Sequence, residues 1–158
     1  MKRFKKIMTG MLLVAAFAAA TVSCSKEKGD DLIGRWVYSQ GNYTFLYEGE
    51  WYNAKEEGFD LSSLNNSLRG AYFVFEDNGT LTMGFGGQSA SAKYSVSDDE
   101  ITIKDGSFSV PMGYRISGKT LDLIWSRTTI DLMGVSMDEL YELGINDVEM
   151  TLTFAKAD

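Results

Sequence analysis

From Gly34 onward apolar and polar residues alternate one by one, the period of strands with one buried and one wetted face. The clearest run is Phe108, Val110, Met112, Tyr114 and Ile116, interleaved with Ser109, Pro111, Gly113, Arg115 and Ser117. Near the C-terminus Val148, Met150, Leu152 and Phe154 alternate with Glu149, Thr151, Thr153 and Ala155. Shorter alternations occur at Leu81, Met83 and Phe85, at Ala92, Tyr94 and Val96, at Ile101 and Ile103, and at Leu121, Leu123 and Trp125. Tyr72 to Phe75 is apolar on both faces, which predicts that something covers its outer side. Pro111 has no N–H for a ladder, so the pattern predicts a bulge or bend there.

Compact turn signals separate the runs: Asp77-Asn78-Gly79, Gly86-Gly87, Ser97-Asp98-Asp99, Asp105-Gly106 and Ser117-Gly118. Links this short join neighbouring strands antiparallel, so the order is an up-and-down meander, for which closure into a barrel removes the exposed edges. Counting from Arg35 gives eight strands, with Tyr43, Phe45 and Tyr47 as a ninth or an extension of the first. The expected fold is all-β: an eight-stranded antiparallel up-and-down barrel with two short helices. The first helix spans Asp60 to Gly70, with Leu61, Leu64 and Leu68 on one face, Asp60 as candidate N-cap and Gly70 as stop. The second opens with the capping box Ser136-Met137-Asp138-Glu139, carries Leu140 and Leu143, and stops at Gly144. Both are too short to be stable alone and should pack as lids or plugs on the barrel.

The 20 aromatic residues within 158 supply enough apolar surface for a core, which sets this acidic chain apart from a disordered one. With no His, imidazole general bases, Ser-His-Asp and Cys-His nucleophile systems and His-ligated metals are excluded. With one Cys there is neither an intramolecular disulfide nor a thiolate cluster. A formal charge of −7 leaves no surplus of cations for nucleic-acid phosphates.

The first 23 residues read as an export signal: Lys2, Arg3, Lys5 and Lys6, then the apolar run from Met11 to Ala20, then small residues. The run is too short to span a bilayer, which needs about 20 apolar residues. It ends in Thr21-Val22-Ser23-Cys24, which resembles the lipobox of bacterial lipoproteins. That resemblance implies cleavage before Cys24 and its diacylation, with Thr21 departing from the usual Leu. Residues 24–31 would form a lipidated polar tether and residues 32–158 the barrel domain. Cleavage removes four cations and no acid, leaving 11 basic against 22 acidic groups and a formal charge of −11, so the body should stand off anionic headgroups. Ser25 after the Cys is similar to outer-membrane lipoproteins, which implies a lipid-anchored protein on the periplasmic face or the cell surface.

At Leu32-Ile33-Gly34-Arg35-Trp36 the domain opens with Gly-x-Trp at the start of its first strand, and this resembles the lipocalin-like (calycin-type) signature. The helix-bearing crossover, the Phe75 to Thr82 and Tyr94 to Asp99 hairpins and the Met150 to Phe154 strand are similar to small lipocalin-like lipoproteins of Gram-negative bacteria. The resemblance implies that Trp36 packs across the closed end of the barrel, with Gly34 allowing the close approach of the chain. It also implies a basic residue covering Trp36, for which Arg115, Arg127 and Lys156 are all candidates.

Carboxylates are the plentiful titratable groups, yet Asp98-Asp99-Glu100 falls on a hairpin tip and Glu56-Glu57 in a polar connection. Asp77-Asn78-Gly79 lacks the later ligands of a calcium loop. No enzyme, metal or cofactor is therefore expected. What remains is the inward phase: Tyr38, Tyr94, Met112, Tyr114, Trp125, Met150, Leu152 and Phe154 would line a pocket for a small apolar or amphipathic ligand, or fill the barrel. Three inward phenols favour a partly polar pocket, because a buried hydroxyl needs a partner. The alternative is a filled barrel acting as a structural or protein-interaction module, suggested by the aromatic segment Tyr43, Phe45, Tyr47, Trp51 and Tyr52.

Overall fold

The computed structural model describes residues 29–132 and 138–158, with the side chain of Glu139 left aside. Nine strands run in chain order: β1 (Gly34–Tyr47), β2 (Glu50–Asn53), β3 (Tyr72–Phe75), β4 (Thr80–Phe85), β5 (Gln88–Ser97), β6 (Glu100–Asp105), β7 (Phe108–Ser117), β8 (Thr120–Trp125) and β9 (Ile145–Lys156). Every neighbouring pair from β3 to β9 is antiparallel. β1 then pairs with β3 on one side and along most of its length with β9 on the other, which closes an eight-stranded barrel. The architecture is the all-β up-and-down barrel that the alternation and the short turns predict, and it is lipocalin-like as the resemblance implies.

β2 is the ninth strand, and it lies outside the barrel count. The segment Tyr43 to Tyr47 extends β1, while Glu50–Asn53 folds back on it as a hairpin flap. One edge of β1 is thus shared, its first four residues going to β3 and its last four to β2.

The hairpins divide the barrel into two ends. The turns after β3, β5 and β7, the start of β1 and the end of β9 lie at one end; the turns after β4 and β6, the flap and all the α-helices lie at the other. The first end is closed. A 3-10 turn at Asp30–Leu32 precedes β1, and Leu32 is fully buried in the main core with Trp36, Phe73, Phe75, Leu81, Ile101, Leu121, Leu123 and Phe154. Phe73 stacks near Phe75 and meets Phe154 edge-on at 5.1 Å. Aromatic packing of this kind fills the lower barrel.

Three short helices crowd the other end: α1 (Ser62–Ser67), α2 (Arg127–Leu132) and α3 (Asp138–Glu142). α1 is shorter than the span from Asp60 to Gly70 suggests. Asp60 Oδ1 accepts the Ser62 N–H at 2.9 Å, so it caps the turn from one residue further out than a regular N-cap. Leu64 and Leu68 nevertheless point at the barrel as expected, Leu68 packing on the main core and Leu64 lying close to Gly41. In α3 Leu140 packs inward but Leu143 is 68% exposed, contrary to the paired inward role expected of them; Ser136 and Met137 of the capping box lie outside the described residues. α2 is a helix that the sequence pattern does not announce.

Pro111 causes no bulge, which corrects the expectation from its missing N–H. The ladders of β6–β7 and β7–β8 run without a register shift. The Pro111 carbonyl accepts the Thr129 hydroxyl at 2.6 Å. The N and C=O of a strand residue point to the same side, so the missing N–H also faces α2, beyond the end of β8, where no ladder needs it. The bulges fall instead on β1 against β9, between Tyr38 and Gln40 and between Leu46 and Tyr47.

The cover on the outer side of β3 is Arg35. Its guanidinium lies 4.0 Å from the centre of the Tyr72 ring. Tyr72 in turn lies flat over Gly84, its cross-strand partner on β4, where a Cβ would meet the ring at 2.1 Å. Glycine at 84 is what lets the ring lie down on the sheet.

Candidate functional site

At the closed end Trp36 is fully buried and its Nε1–H donates to the Leu32 carbonyl at 2.7 Å. The covering cation is Lys156, whose Nζ stands 5.1 Å from the Trp36 ring centre. Arg115 pairs with Asp122 at 2.6 Å and Arg127 lies over Tyr141, so neither reaches Trp36. Gly34 has φ +128°, a conformation that side chains disfavour, and a Cβ there would stand 3.1 Å from Lys156 Cε. These contacts place Gly34 and Trp36 at the closed end of the barrel. Cys24 lies outside the described residues.

The eight inward-phase residues do share the barrel interior, but not as one pocket. Met112, Trp125, Leu152 and Phe154 are buried in the main core. Tyr38, Tyr94, Tyr114 and Met150 are half-buried and pack against it. Two of the three phenols turn to the rim, and the third, Tyr38, holds a polar cluster on the inner face beside Gly41. Tyr94 Oη donates to the Glu76 carbonyl at 2.7 Å and Tyr114 Oη to the Asp98 carbonyl at 3.3 Å, both in turns at the closed rim. Tyr38 Oη donates to Asn65 Oδ1 at 2.8 Å, and the same oxygen accepts the Gly41 N–H at 2.9 Å. Asn65 thereby pins α1 to β1, a role with no apolar signal to reveal it. Burial raises the Tyr38 and Tyr94 hydroxyls above the ordinary phenol range, with Asp77 and Glu76 adding to the effect at Tyr94, so these two keep a proton to donate at neutral pH.

Space is left at the helix-bearing end. On the inner face Met83, Phe85, Ala92 and Met150 remain half-buried, while Ala90 and Phe108 are exposed. In a closed barrel an inward side chain meets solvent through the lumen or a break in the wall, so these residues mark a mouth. The wall is broken beside them: β6 pairs with β5 over Lys93–Ser97 alone, and Gln88 to Ala92 have β4 as their one ladder partner. A groove of about 260 Å³ opens on the outer wall at that split, between Thr80, Ser91, Lys93, Lys104 and Gly106. Of this group the candidate pocket drawn from the sequence holds Met150 alone; Met83, Phe85, Ala92 and Phe108 share the apolar alternation but not the pocket, since alternation gives the face of a residue and not its height.

Next to the mouth one polar atom stands out. Among the described residues Trp125 Nε1 is the one fully buried side-chain nitrogen or oxygen without a hydrogen-bond partner. Trp125 ends β8, opposite Met150 on β9, and is 5% exposed. The aromatic segment of the flap is largely occupied with itself: Phe45 stacks on Tyr52 at 5.5 Å and meets Phe59 edge-on at 5.3 Å, in a satellite core with Ala54 and Ile145 that Leu61 and Leu140 cover.

The carboxylates considered for chemistry sit in turns. Asp98 forms the β5–β6 tip with φ +48°, and Glu56 and Glu57 follow the flap in a turn. Asn78 Oδ1 accepts the Thr80 N–H at 2.8 Å, which is the work of a turn residue. Among the described residues no group of three His, Cys, Asp or Glu side chains is placed to hold a metal, and no helix is long and apolar enough to cross a membrane.

Fold and interior together define a closed lipocalin-like barrel with a sealed floor and a helix-bearing mouth. No protein-family model, no curated protein and no solved structure matches the chain.

Proposed function

We propose that this chain is a lipoprotein, anchored in the outer membrane through a lipid on Cys24, whose barrel binds a small apolar or amphipathic ligand at the helix-bearing mouth. The observation that carries the reading is the contrast along the barrel. The floor buries Trp36, Phe73, Phe75 and Phe154, with Tyr94, Val96, Tyr114 and Ile116 half-buried at its rim, whereas at the other end the inward Ala90 and Phe108 are exposed and Met83, Phe85, Ala92 and Met150 half-buried. A purely structural barrel gains nothing from leaving such side chains wet, since each buried apolar Å² contributes about 25 cal/mol. The reaction classes that need paired carboxylates find none in the interior, and the site is read as non-enzymatic.

Native mass spectrometry of the intact chain, purified from its own host before and after organic extraction, tests the reading. A stoichiometric extra mass that extraction removes supports an occupied barrel; a bare polypeptide mass before extraction counts against it. The anchor is tested separately by metabolic labelling with palmitate, which Cys24→Ser should abolish.

A second reading has one observation in its favour. Among the described residues the six exposed large apolar side chains, Tyr47, Phe59, Phe108, Leu132, Tyr141 and Leu143, all lie at the mouth end. Such a face suits a protein partner in an envelope assembly. Site-specific crosslinking from positions 59 and 143 in the native envelope would capture that partner, and failure at both positions would remove this alternative.

A further inference from the structure

We infer that Trp125 is the hydrogen-bond donor of the ligand site, and that the ligand is a neutral apolar molecule carrying an oxygen acceptor, such as an ester, ketone or ether, rather than a carboxylate. The inference deepens the binding reading above and rests on it. A buried donor without an acceptor is costly, and native interiors rarely keep one without a use. Indole N–H can only donate, so whatever satisfies it must accept.

The surroundings narrow the acceptor. Met150 faces Trp125 across the β8–β9 ladder, and on the other side Met112 stands one step beyond the Gly113 and Ile124 pair of β7. Ile130 of α2 is fully buried in the same cluster. A buried water needs two to four polar partners, and the ladder neighbours Met112 and Met150 and the buried Ile130 offer none. A molecule that brings its own apolar body fits better. Two long, unbranched methionine side chains can change rotamer to let it reach the indole.

Charge decides between a neutral and an anionic acceptor. Among the described residues the inward phase offers two charged side chains, Asp105 at the β6–β7 tip and Lys156 over Trp36 on the floor. Arg115 is spent on Asp122, and Arg127 lies on α2 against Tyr141 and the Asn146 carbonyl. A carboxylate beside Trp125 would be desolvated with no cation to meet it, inside a body of net charge −7 before processing.

The test uses the intact chain after organic extraction and three probes of similar size: methyl nonanoate, nonanoate and decane. By isothermal titration methyl nonanoate should bind roughly three- to tenfold more tightly than decane and more tightly than nonanoate, as one hydrogen bond dictates. In Trp125→Phe the ester's advantage over decane should vanish while decane binding persists. Independently of the variant's stability, the Trp125 indole ¹⁵N–¹H resonance of the wild type should move downfield with methyl nonanoate and not with decane. Equal binding of ester and decane, an unmoved indole resonance, or nonanoate binding as tightly as the ester would overturn the inference and leave the binding reading standing. Binding of none of the three would overturn both.

Discussion

Lys156 Nζ rests 5.1 Å from the ring centre of Trp36, its cross-strand partner, while the indole N–H of Trp36 reaches the Leu32 carbonyl at 2.7 Å. The first and last strands of the barrel and the 3-10 turn before them are thus joined through one indole. Cation and ring attract because the face of the ring is electron-rich, and a partly exposed pair of this kind contributes about 0.5–1 kcal/mol. Lys156→Met should lower stability by that amount, read from urea unfolding midpoints at constant slope; an unchanged midpoint would show that the ammonium merely rests there.

The two buried indoles should respond differently to the same change. Trp36→Phe removes a satisfied donor and strands the Leu32 carbonyl, whereas Trp125→Phe removes a donor that has no partner. In extracted, ligand-free protein Trp36→Phe should therefore cost about 1–3 kcal/mol more than Trp125→Phe, beyond the similar loss of ring volume. Equal losses in thermal or urea unfolding would mean that the Trp125 N–H is satisfied in solution.

Asn65 should be worth more than its short helix suggests. Its side-chain oxygen accepts from both Tyr38 Oη and Gly41 N, so Asn65→Ala strands two donors and should cost about 2–4 kcal/mol if neither finds water. Hydrogen exchange should quicken at the Gly41 amide and through α1 while the floor around Phe73 stays protected. Exchange that quickens uniformly would place α1 in the global folding unit instead of a lid.

Glu149 gives the barrel a pH dependence of opposite sign to that of an ion-paired acid. It sits half-buried on β9, and desolvation first, then the charge of Asp147, raises its pKa above the ordinary glutamate value. The folded state therefore binds its proton more readily than the unfolded chain. The ionised form weighs against folding above the raised pKa, and that penalty disappears as pH falls below the ordinary carboxylate range. Glu149→Gln should raise the Tm at neutral pH, with the gain shrinking on acidification. A gain that is the same at pH 7 and pH 4 would assign it to packing and not to charge.

The barrel was legible because a closed sheet with a dry inside imposes strict alternation, and the hairpin turns carry Gly and Asp at defined places. Gly79, Gly86, Gly106 and Gly118 all adopt positive φ at the tips their neighbours mark. The aromatic segment from Tyr43 to Tyr52 reads as a surface or equally as a strand covered by the Leu61 to Leu68 helix; Leu61 does pack on it, but Glu50-Trp51-Tyr52-Asn53 is too short to alternate and so to mark β2 as a separate strand. α2 escaped because Thr128, Thr129 and Ile130 are β-branched and favour strands. The helix is held by tertiary contacts, namely the burial of Ile130 and the Thr129 bond to Pro111. The candidate site was half legible. The inward phase follows from periodicity, but the heights that separate a filled floor from a wet mouth depend on strand stagger, which no single strand encodes. Where the phenols of Tyr94 and Tyr114 find partners depends on turns that lie across the rim from them.

The 3-10 turn at Asp30–Leu32 also bears on which way the cup would stand under the proposed anchor. It enters the fold at the sealed floor, where the Gly29 backbone packs on Val96. A lipid on Cys24 would be joined to Gly29 by a leash of about 17 Å when fully stretched, while the walls, built from strands such as the 12-residue β9, rise on the order of 30 Å at a typical tilt. With the proposed lipid in place, so short a leash would moor the cup by its base and turn its mouth outward, toward the aqueous side and away from the bilayer.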